Sequence, residues 1–273
     1  MERKMTKRKV SLLILIIFII SWMITWIPVT ENISLNIPGK ENLGVRIVLI
    51  TDLHSCYYGK DQASLIKRID RQDPDIIVLS GDIFDDKLKD DNAKILLEDM
   101  VTKYPCYYVA GNHEFWSGRV DLMKEYLKGI GVHVLAGDCE TVDINGTAFD
   151  ICGVDDPTYM TDTSFKEQIE NAYADCDKSH VKILISHRPE KTDIYDDYGF
   201  DLVLSGHAHA GQFKIPFVNL GVFAPDQGFF AKYIDGKYEL SNGTILIVSR
   251  GLARESTPGP RYFNNPEIVT IDM

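Results

Sequence analysis

The chain has 273 residues, of which 45% are hydrophobic and 25% are charged, and its formal net charge is -11 at pH 7. This acidic balance argues against a general nucleic-acid surface, which needs a basic stripe to displace counterions from the phosphate backbone. The length fits one α/β domain that can bury a substantial core without disulfides.

The N-terminal segment predicts a membrane anchor. A basic flank, residues 1–9, precedes the uncharged apolar run 10–27, whose length is close to one bilayer crossing of roughly 20 residues. We predict a transmembrane helix here. A cleaved signal peptide, the alternative, would have a shorter apolar region, whereas Trp22 and Trp26 near the exit resemble interfacial anchors. The positive-inside rule then puts the rest of the chain at the cell membrane and outside the cytoplasm.

Residues 28–43 are polar, with a break at Pro38-Gly39, and we interpret them as a tether to a domain over residues 44–273. Strands and helices alternate in the first half of that domain. Their predicted positions are strands over 76–79 and 106–109 and helices near 62–71, 93–102 and 120–128. Alternation implies parallel pairing, and ligands of open α/β sheets collect beyond the carboxyl ends of the strands.

The second half of the domain is richer in turn signals. Hairpins are predicted at Asn145-Gly146, Asp235-Gly236 and Asn242-Gly243, each flanked by runs typical of strands. We therefore predict an α/β fold in which two mixed β-sheets pack together and helices flank them.

Five apolar runs each end in side chains that can bind a metal ion. The runs with their following residues are Val48-Leu49-Ile50-Thr51-Asp52-Leu53-His54, Ile77-Val78-Leu79-Ser80-Gly81-Asp82, Tyr108-Val109-Ala110-Gly111-Asn112-His113-Glu114, Ile183-Leu184-Ile185-Ser186-His187 and Leu202-Val203-Leu204-Ser205-Gly206-His207-Ala208-His209. Any one of these histidines alone would more often be a structural residue. Together they supply carboxylate, amide and imidazole groups without a thiolate, which predicts a hard N/O site for Mn, Fe, Zn or Mg.

The motifs Asp-x-His, Gly-Asp, Gly-Asn-His-Glu, His and Gly-His-x-His, in this order, resemble the signature of the calcineurin-like metallophosphoesterases. Two further stretches are similar to the bacterial membrane-associated, phosphodiesterase-like members of that family: Gly206-His207-Ala208-His209-Ala210-Gly211-Gln212 and the tail Ser249-Arg250-Gly251-Leu252-Ala253 with Asn265-Pro266-Glu267-Ile268. The resemblance extends from about Val45 to the C-terminus and implies a β-sandwich flanked by helices.

The resemblance also implies two divalent metal ions and their ligands. One ion would be held by Asp52, His54 and His209, the other by Asn112, His187 and His207, and Asp82 would bridge them. His113 matches the family position that protonates the leaving oxygen or stabilises the transition state. We suggest that Asp85 orients it through a hydrogen bond. Arg188 either meets a substrate phosphate or forms a surface salt bridge.

The activity that the resemblance implies is that of a membrane-anchored, metal-dependent hydrolase of phosphate esters. A phosphodiesterase or pyrophosphatase acting on a small or lipid-linked substrate fits best, and no nucleic-acid partner is expected. The alternatives are a phosphomonoesterase and a non-catalytic, membrane-tethered metal-binding adaptor. Loss of a ligand or of His113 would mark the adaptor, and the sequence shows no such loss.

Two further predictions come from the residues themselves. Cys139 and Cys152 are equally distant from the Asn145-Gly146 turn, so a two-residue hairpin would place them opposite one another and allow a disulfide, the alternative being two free thiols. The apolar segment 215–225 follows His209 closely and either fills the core or forms an exposed patch beside the metal ions.

Overall fold

The structure is a computed structural model that describes residues 7–40, 43–215, 218, 220–254 and 259–273. Its α-helices are α1 (Lys7–Ile24), α2 (Ala63–Asp70), α3 (Asp91–Met100), α4 (Asn112–Trp116), α5 (Val120–Ile130), α6 (Asp162–Ala174) and α7 (Thr192–Tyr195). The strands are β1 (Val29–Ser34), β2 (Arg46–Ile50), β3 (Ile76–Ser80), β4 (Cys106–Val109), β5 (His133–Val134), β6 (Asp138–Ile144), β7 (Thr147–Gly153), β8 (Val181–Ile185), β9 (Leu202–Ser205), β10 (Phe223–Ala224), β11 (Gly228–Phe229), β12 (Gly236–Glu239), β13 (Ile245–Val248) and β14 (Glu267–Asp272).

Two six-stranded sheets form the domain, one in the order β1-β14-β2-β3-β4-β5 and the other in the order β12-β13-β9-β8-β7-β6. The central strands run parallel in both sheets, from β2 to β5 and from β7 through β8 and β9 to β13. Antiparallel neighbours complete each sheet, β14 beside β2 in the first and β6 and β12 in the second. The predicted pair of mixed sheets is confirmed.

The hydrophobic core has three layers, and strand β2 shows why. Its residues Ile47 and Leu49 pack between the two sheets, whereas Val48 and Ile50 pack under the helices that cover the outer face. A strand buried on both faces reads as a continuous apolar run, which is how it appears in the sequence. On the second sheet the outer layer is closed by α6, whose Phe165 is fully buried.

The predicted membrane helix coincides in part with α1, which begins at Lys7 and ends at Ile24. Within the residues that the structure describes, no helix combines the length and the apolar character needed to cross a membrane, so the predicted crossing over residues 10–27 is not supported. One side of α1 lies against the domain. The Phe18 ring is 5.3 Å from the Tyr262 ring, and the Phe263 backbone N–H donates a hydrogen bond to Ser21 Oγ (2.7 Å).

The interpretation of residues 28–43 as a tether is wrong, because part of this segment is a strand of the domain. Residues 29–34 form β1, which pairs in parallel with β14 at the edge of the first sheet. Leu35 and Ile37 beyond it are buried. The polar sequence Val-Thr-Glu-Asn-Ile-Ser suits an edge strand, since one of its faces meets solvent, and this is why its composition resembled that of a linker.

Two differences concern local elements. Asp235-Gly236 is not a hairpin turn, because β12 begins at Gly236 and pairs with the strand that follows it, β13. Helix α6 was not predicted, although its buried residues Phe165, Ile169 and Ala172 repeat at helical spacing. Two of the predicted turns, Asn145-Gly146 and Asn242-Gly243, do join antiparallel strands.

The Asn145-Gly146 hairpin sets the register that the cysteine prediction required. Cys139 on β6 lies opposite Cys152 on β7, and the two side chains form a disulfide. The predicted pairing is therefore confirmed.

Candidate metal centre

The five ligand-bearing segments meet where the carboxyl ends of parallel strands from both sheets converge. Asp52 and His54 follow β2, Asp82 follows β3, Asn112 and His113 open α4 after β4, His187 follows β8, and His207 and His209 follow β9. All eight side chains except His113 belong to buried residues. Two sheets thus deliver one compact group of polar side chains into an otherwise apolar interior.

The backbone at this centre adopts a left-handed conformation at several residues. Five of the expected ligands have positive φ angles, a conformation that costs non-glycine residues energy and that clusters at functional sites: Asp52 (50°), His54 (48°), Asp82 (53°), His207 (66°) and His209 (47°). Close approach of neighbouring segments requires glycine at two points. A Cβ on Gly206 would lie 2.0 Å from Thr51 Oγ1, and one on Gly111 would lie 2.3 Å from Asp82 Oδ1.

The donor atoms fall into two groups. Asp52, His54 and His209 form one, and Asp82, His187 and His207 form the other, with the donor atoms in each group within 4.8 Å of one another. Asp82 Oδ2 lies 3.1 Å from His187 Nε2 in its own group and 3.6 Å from His54 Nε2 in the other. Asp82 is thus the carboxylate that comes closest to both groups, since Asp52 Oδ1 lies 3.9 Å from His187 Nε2.

Several of these atoms are buried without any hydrogen-bond partner among the described residues: His54 Nε2, Asp82 Oδ2, Asn112 Oδ1 and His187 Nε2. An unsatisfied buried polar atom costs about 1–3 kcal/mol, so four together need a common explanation. Every one of them is a nitrogen or oxygen of a type that binds divalent cations. The residues present therefore fit a metal centre.

Hydrogen bonds from the opposite ring nitrogens fix the imidazoles in place. His54 Nδ1 is 3.0 Å from Asp85 Oδ1, and His187 Nδ1 is 2.7 Å from the Ser80 carbonyl oxygen, so each ring donates there and presents its Nε2 to the centre. His207 is turned the other way. Its Nε2 is 2.9 Å from Asp226 Oδ2, which leaves Nδ1 for the centre.

His113 lies at the mouth of the centre and is surrounded by carboxylates. Its Nδ1 is 2.8 Å from Asp86 Oδ1 and 3.3 Å from Asp85 Oδ1. Burial alone would lower the pKa of His113, but the carboxylates of Asp85, Asp82 and Asp86 outweigh it and raise that pKa to about 9. The expected contact with Asp85 is present, yet Asp85 lies closer to His54. Asp86 was not predicted from the sequence, where its position next to Asp85 is its only signal.

Glu114 was quoted only as part of a motif, but it holds the centre together. Its buried carboxylate accepts hydrogen bonds from the backbone N–H groups of Asp82 (2.9 Å), Ile83 (2.8 Å), Phe84 (3.0 Å) and Gly111 (2.9 Å). These bonds tie the loop after β3 to the loop after β4. Glu114 thereby fixes the separation of Asp82 and Asn112 without facing the metal site itself.

Arg188 is buried. The alternative of a salt bridge at the surface is therefore wrong, although Arg188 does form ion pairs. It is 6% exposed and makes a two-pronged contact with Asp156, from Nε to Oδ2 (2.5 Å) and from Nη2 to Oδ1 (3.0 Å). Its Nη1 contacts the carboxylate of Asp226, which also bonds His207. The guanidinium is therefore next to a candidate metal ligand and is fully engaged by two carboxylates.

A cleft of about 600 Å³ opens beside the centre. His113 and His209 form its polar end, and the apolar lining includes Trp116, Phe213 and Phe223. Of the apolar segment 215–225, residues 216, 217 and 219 lie outside the described part of the chain. Within the rest, Val218 is 53% and Phe223 49% exposed, so these side chains do not fill the core.

Comparison with known proteins identifies the family. The family model described as calcineurin-like phosphoesterase matches residues 45–211. An uncharacterized metallophosphoesterase of Campylobacter jejuni is 32% identical over an alignment that covers 97% of this chain and 69% of that protein. One from Aquifex aeolicus is 31% identical, with 84% of this chain and 85% of that protein covered.

Solved structures share the fold at low sequence identity. The crystal structure of a 5'-nucleotidase precursor from Thermus thermophilus matches with a TM-score of 0.51 at 15% identity, covering 77% of this chain and 49% of that one. The chain thus spans about half the length of the nucleotidase, and the likeness concerns the fold alone. The family model matches more than half of the chain. The chain therefore belongs to the calcineurin-like phosphoesterases, a family of metal-dependent hydrolases of phosphate esters.

Proposed function

We propose that this protein is a dinuclear metal-dependent phosphodiesterase or pyrophosphatase. The observation that carries the proposal is the set of unpartnered buried donor atoms on His54, Asp82, Asn112 and His187, which lie between two ligand groups joined by one carboxylate. Asp52, His54 and His209 would hold one divalent ion, Asn112, His187 and His207 the other, and Asp82 both. Ions held there would supply the activation of water as a nucleophile and the neutralisation of charge on the phosphate oxygens.

The chain itself supplies the proton for the leaving group in this proposal. His113 lines the cleft, and its Nδ1 is held by Asp86, so Nε2 is the ring atom that can donate. A ring that is protonated and oriented in this way is suited to general acid catalysis, which typically contributes about 10²–10⁴-fold to the rate.

In the same mechanism, Arg188 can contact a substrate only on the side that Asp226 now occupies. Its bond partner Asp156 is fully buried, whereas the Asp226 side chain is 55% exposed. A substrate phosphate can therefore reach the guanidinium by displacing Asp226 and leaving the contact with Asp156 intact. Such a phosphate would sit next to His207, on the metal side of the cleft.

A phosphodiester fits this centre better than a monoester. A monoester carries an extra negative charge, and the cationic side chains near the site are not free to meet it, since Arg261 is buried against His209 (Nη2 to Nδ1, 3.2 Å). Arg188 is held by two carboxylates, and Lys87 stands among mainly apolar residues in the cleft lining. A second ester group, in contrast, has an apolar surface to occupy beside the phosphate. The adaptor alternative loses support because no ligand position is replaced.

The function is tested by comparing two chromogenic substrates in the presence of Mn²⁺. We expect bis(4-nitrophenyl) phosphate to be hydrolysed faster than 4-nitrophenyl phosphate, with the rate lost on chelation and restored on adding back the metal. Faster hydrolysis of the monoester would favour the phosphomonoesterase. No turnover of either substrate by protein that contains two bound ions would favour the adaptor.

We further propose that the physiological substrate carries a lipid group and that the protein works at a membrane. The cleft is mainly apolar, and its residue Phe213 touches the Phe18 ring of α1, 6.0 Å between centroids. Helix α1 exposes large apolar side chains along most of its length, from Leu12 to Ile24. An apolar helix beside an apolar cleft favours a lipid surface as the source of the substrate. The extracytoplasmic location of the domain stays a prediction.

The lipid proposal predicts a selective effect of Phe223→Ser. With lipid vesicles containing a phospholipid ester, we expect the wild-type chain to co-sediment and to hydrolyse the lipid, and the variant to lose most of the lipid hydrolysis while keeping nitrophenyl diester hydrolysis. Phe223 is exposed, so its replacement costs little stability.

Leu122→Ser is the matched control, because Leu122 is 66% exposed on α5 and is not part of the cleft lining. Equal loss of both activities in Phe223→Ser, or equal effects of the two variants, would contradict a lipid-binding role for the cleft. A wild-type chain that stays in the supernatant would contradict membrane association.

A further inference from the structure

A third cysteine lies beside the disulfide, away from the metal centre. Cys176 follows the C-terminal end of α6, and its Sγ is 3.3 Å from Cys152 Sγ and 3.9 Å from Cys139 Sγ. Three sulfurs from three separate elements therefore meet at one point, on the outer side of the second sheet. The proposed hydrolase function makes no use of them.

We propose that Cys139, Cys152 and Cys176 form a thiol–disulfide exchange site, in which the disulfide moves between Cys139–Cys152 and Cys152–Cys176. The Cys176 thiol loses its proton to solvent, and its sulfur, which lies beside the disulfide at 3.3 Å from Cys152 Sγ and 3.9 Å from Cys139 Sγ, rotates into line with the bond and attacks Cys152 Sγ. A bond forms between these two sulfurs as the Cys139–Cys152 bond breaks, and Cys139 leaves as a thiolate that takes up a proton. The exchange is internally balanced and needs no added oxidant or reductant.

The burial of the three sulfurs makes Cys152 the shared member of the two disulfides, because Cys139 and Cys176 are both half-buried. Cys152 is fully buried and is the closer of the two disulfide sulfurs to Cys176, so it is the one that Cys176 meets. Cys139 is only half-buried, so solvent stabilises the thiolate that leaves. After exchange, β7 would be linked to the segment behind α6, and the accessible thiol would be that of Cys139. Low-molecular-weight thiols and disulfides could then modify Cys139.

The surroundings of Cys176 set the speed of the exchange. Burial raises the pKa of Cys176 to about 11, with the Asp150 and Asp175 carboxylates adding to this and Lys182 opposing it. His180 pairs with Asp150 on the same side (2.9 Å). Because the thiolate is the attacking species, exchange should be slow near neutral pH and faster as the pH rises.

The chain offers a direct readout of the position of the disulfide. Cleavage by trypsin after Lys128, Lys166 and Lys178 leaves Cys139 and Cys152 in one peptide, 129–166, and Cys176 in another, 167–178. The Cys139–Cys152 disulfide is internal to the first peptide, whereas Cys152–Cys176 joins the two. The joined peptide is therefore specific for exchange once intermolecular dimers have been removed by size.

The test is to incubate the folded, full-length chain at pH 8 in a glutathione buffer, quench with acid, block free thiols and map peptides without reduction. We expect the joined peptide from the wild type and its absence from Cys176→Ser. Cys106→Ser, a buried cysteine on β4 in the other sheet, should behave as the wild type. A wild type that retains only the internal disulfide while Cys176 is alkylated would overturn the proposal if Cys152 and Cys176 also fail to pair in folded Cys139→Ser.

If the exchange equilibrium in the wild type strongly favours the Cys139–Cys152 disulfide, a second variant tests the proposal. In Cys139→Ser, oxidised glutathione should drive formation of the Cys152–Cys176 bond, two cysteine thiols being oxidised as one glutathione disulfide is reduced. The joined peptide should then dominate. Full alkylation of Cys152 and Cys176 in that folded variant would show that the two sulfurs do not react.

Discussion

Asp82→Ala should leave the protein unable to hold the proposed pair of metal ions and should reduce phosphoester hydrolysis to the background rate. Asp82 Oδ2 is a buried oxygen without a hydrogen-bond partner that approaches both ligand groups, at 3.1 Å from His187 Nε2 and 3.6 Å from His54 Nε2. Burial alone would raise the pKa of this carboxyl, but the neighbouring imidazoles of His187, His54 and His113 hold it well below its usual range. Alanine removes the side chain that comes closest to both groups, and with it the proposed bridge between them.

The measurement is metal content by elemental analysis together with the hydrolysis rate. Added Mn²⁺ gives a second readout, because binding to the folded state alone raises the Tm. We expect that rise in the wild type and its loss in the variant. Asp121→Ala, an exposed carboxylate in the first turn of α5, is the matched control and should behave as the wild type. Two tightly bound ions in folded Asp82→Ala would refute the bridging assignment.

His113→Ala should keep both metal ions and lose rate by about 10²–10⁴-fold, the usual contribution of a general acid. Its ring contacts Asp85 and Asp86 and clusters with His54 and Asp85. It lies outside the group formed by Asp52, His54 and His209 and outside that formed by Asp82, His187 and His207. The loss should depend on the leaving group. Nitrophenolate leaves without a proton, so nitrophenyl esters should suffer less than alkyl esters, whose alkoxide needs one.

The experiment compares kcat for a nitrophenyl and an alkyl phosphodiester and measures metal content on the same samples. His133→Ala is the control, because His133 pairs with Glu140 (2.6 Å) on the far end of the first sheet. Equal losses for the two leaving groups would show that His113 does not act as the proton donor. Loss of metal in His113→Ala would instead make it part of the metal centre.

Much of the fold was predictable because its pattern is local. The runs at β2, β3, β8 and β9 are apolar throughout, as parallel strands buried on both faces must be, and each ends at a polar residue that starts a loop. The Asn145-Gly146 turn fixed the pairing of Cys139 with Cys152 for a similar reason, since a tight turn determines the register of its two strands.

The predictions that failed depended on partners distant in the chain. Residues 29–34 resemble a linker until β14, some 240 residues later, gives their backbone a strand to pair with. Arg188 resembled a surface residue because its sequence neighbours do not reveal Asp156 and Asp226. A side chain that is buried as an ion pair looks the same in sequence as one that is exposed.

The sequence by itself determined the family, the two-sheet fold and the chemistry of the donor groups, because short motifs carry their ligand types with them and strand ends fix where they project. Only the tertiary structure decided how those donors are grouped, which ring nitrogen each imidazole presents, and which residues hold the donors in place by hydrogen bonds. Glu114 joins two loops through four backbone N–H groups, and Cys176 reaches the disulfide from another element. These contacts arise from packing between segments far apart in the chain, and no local pattern of residues encodes them.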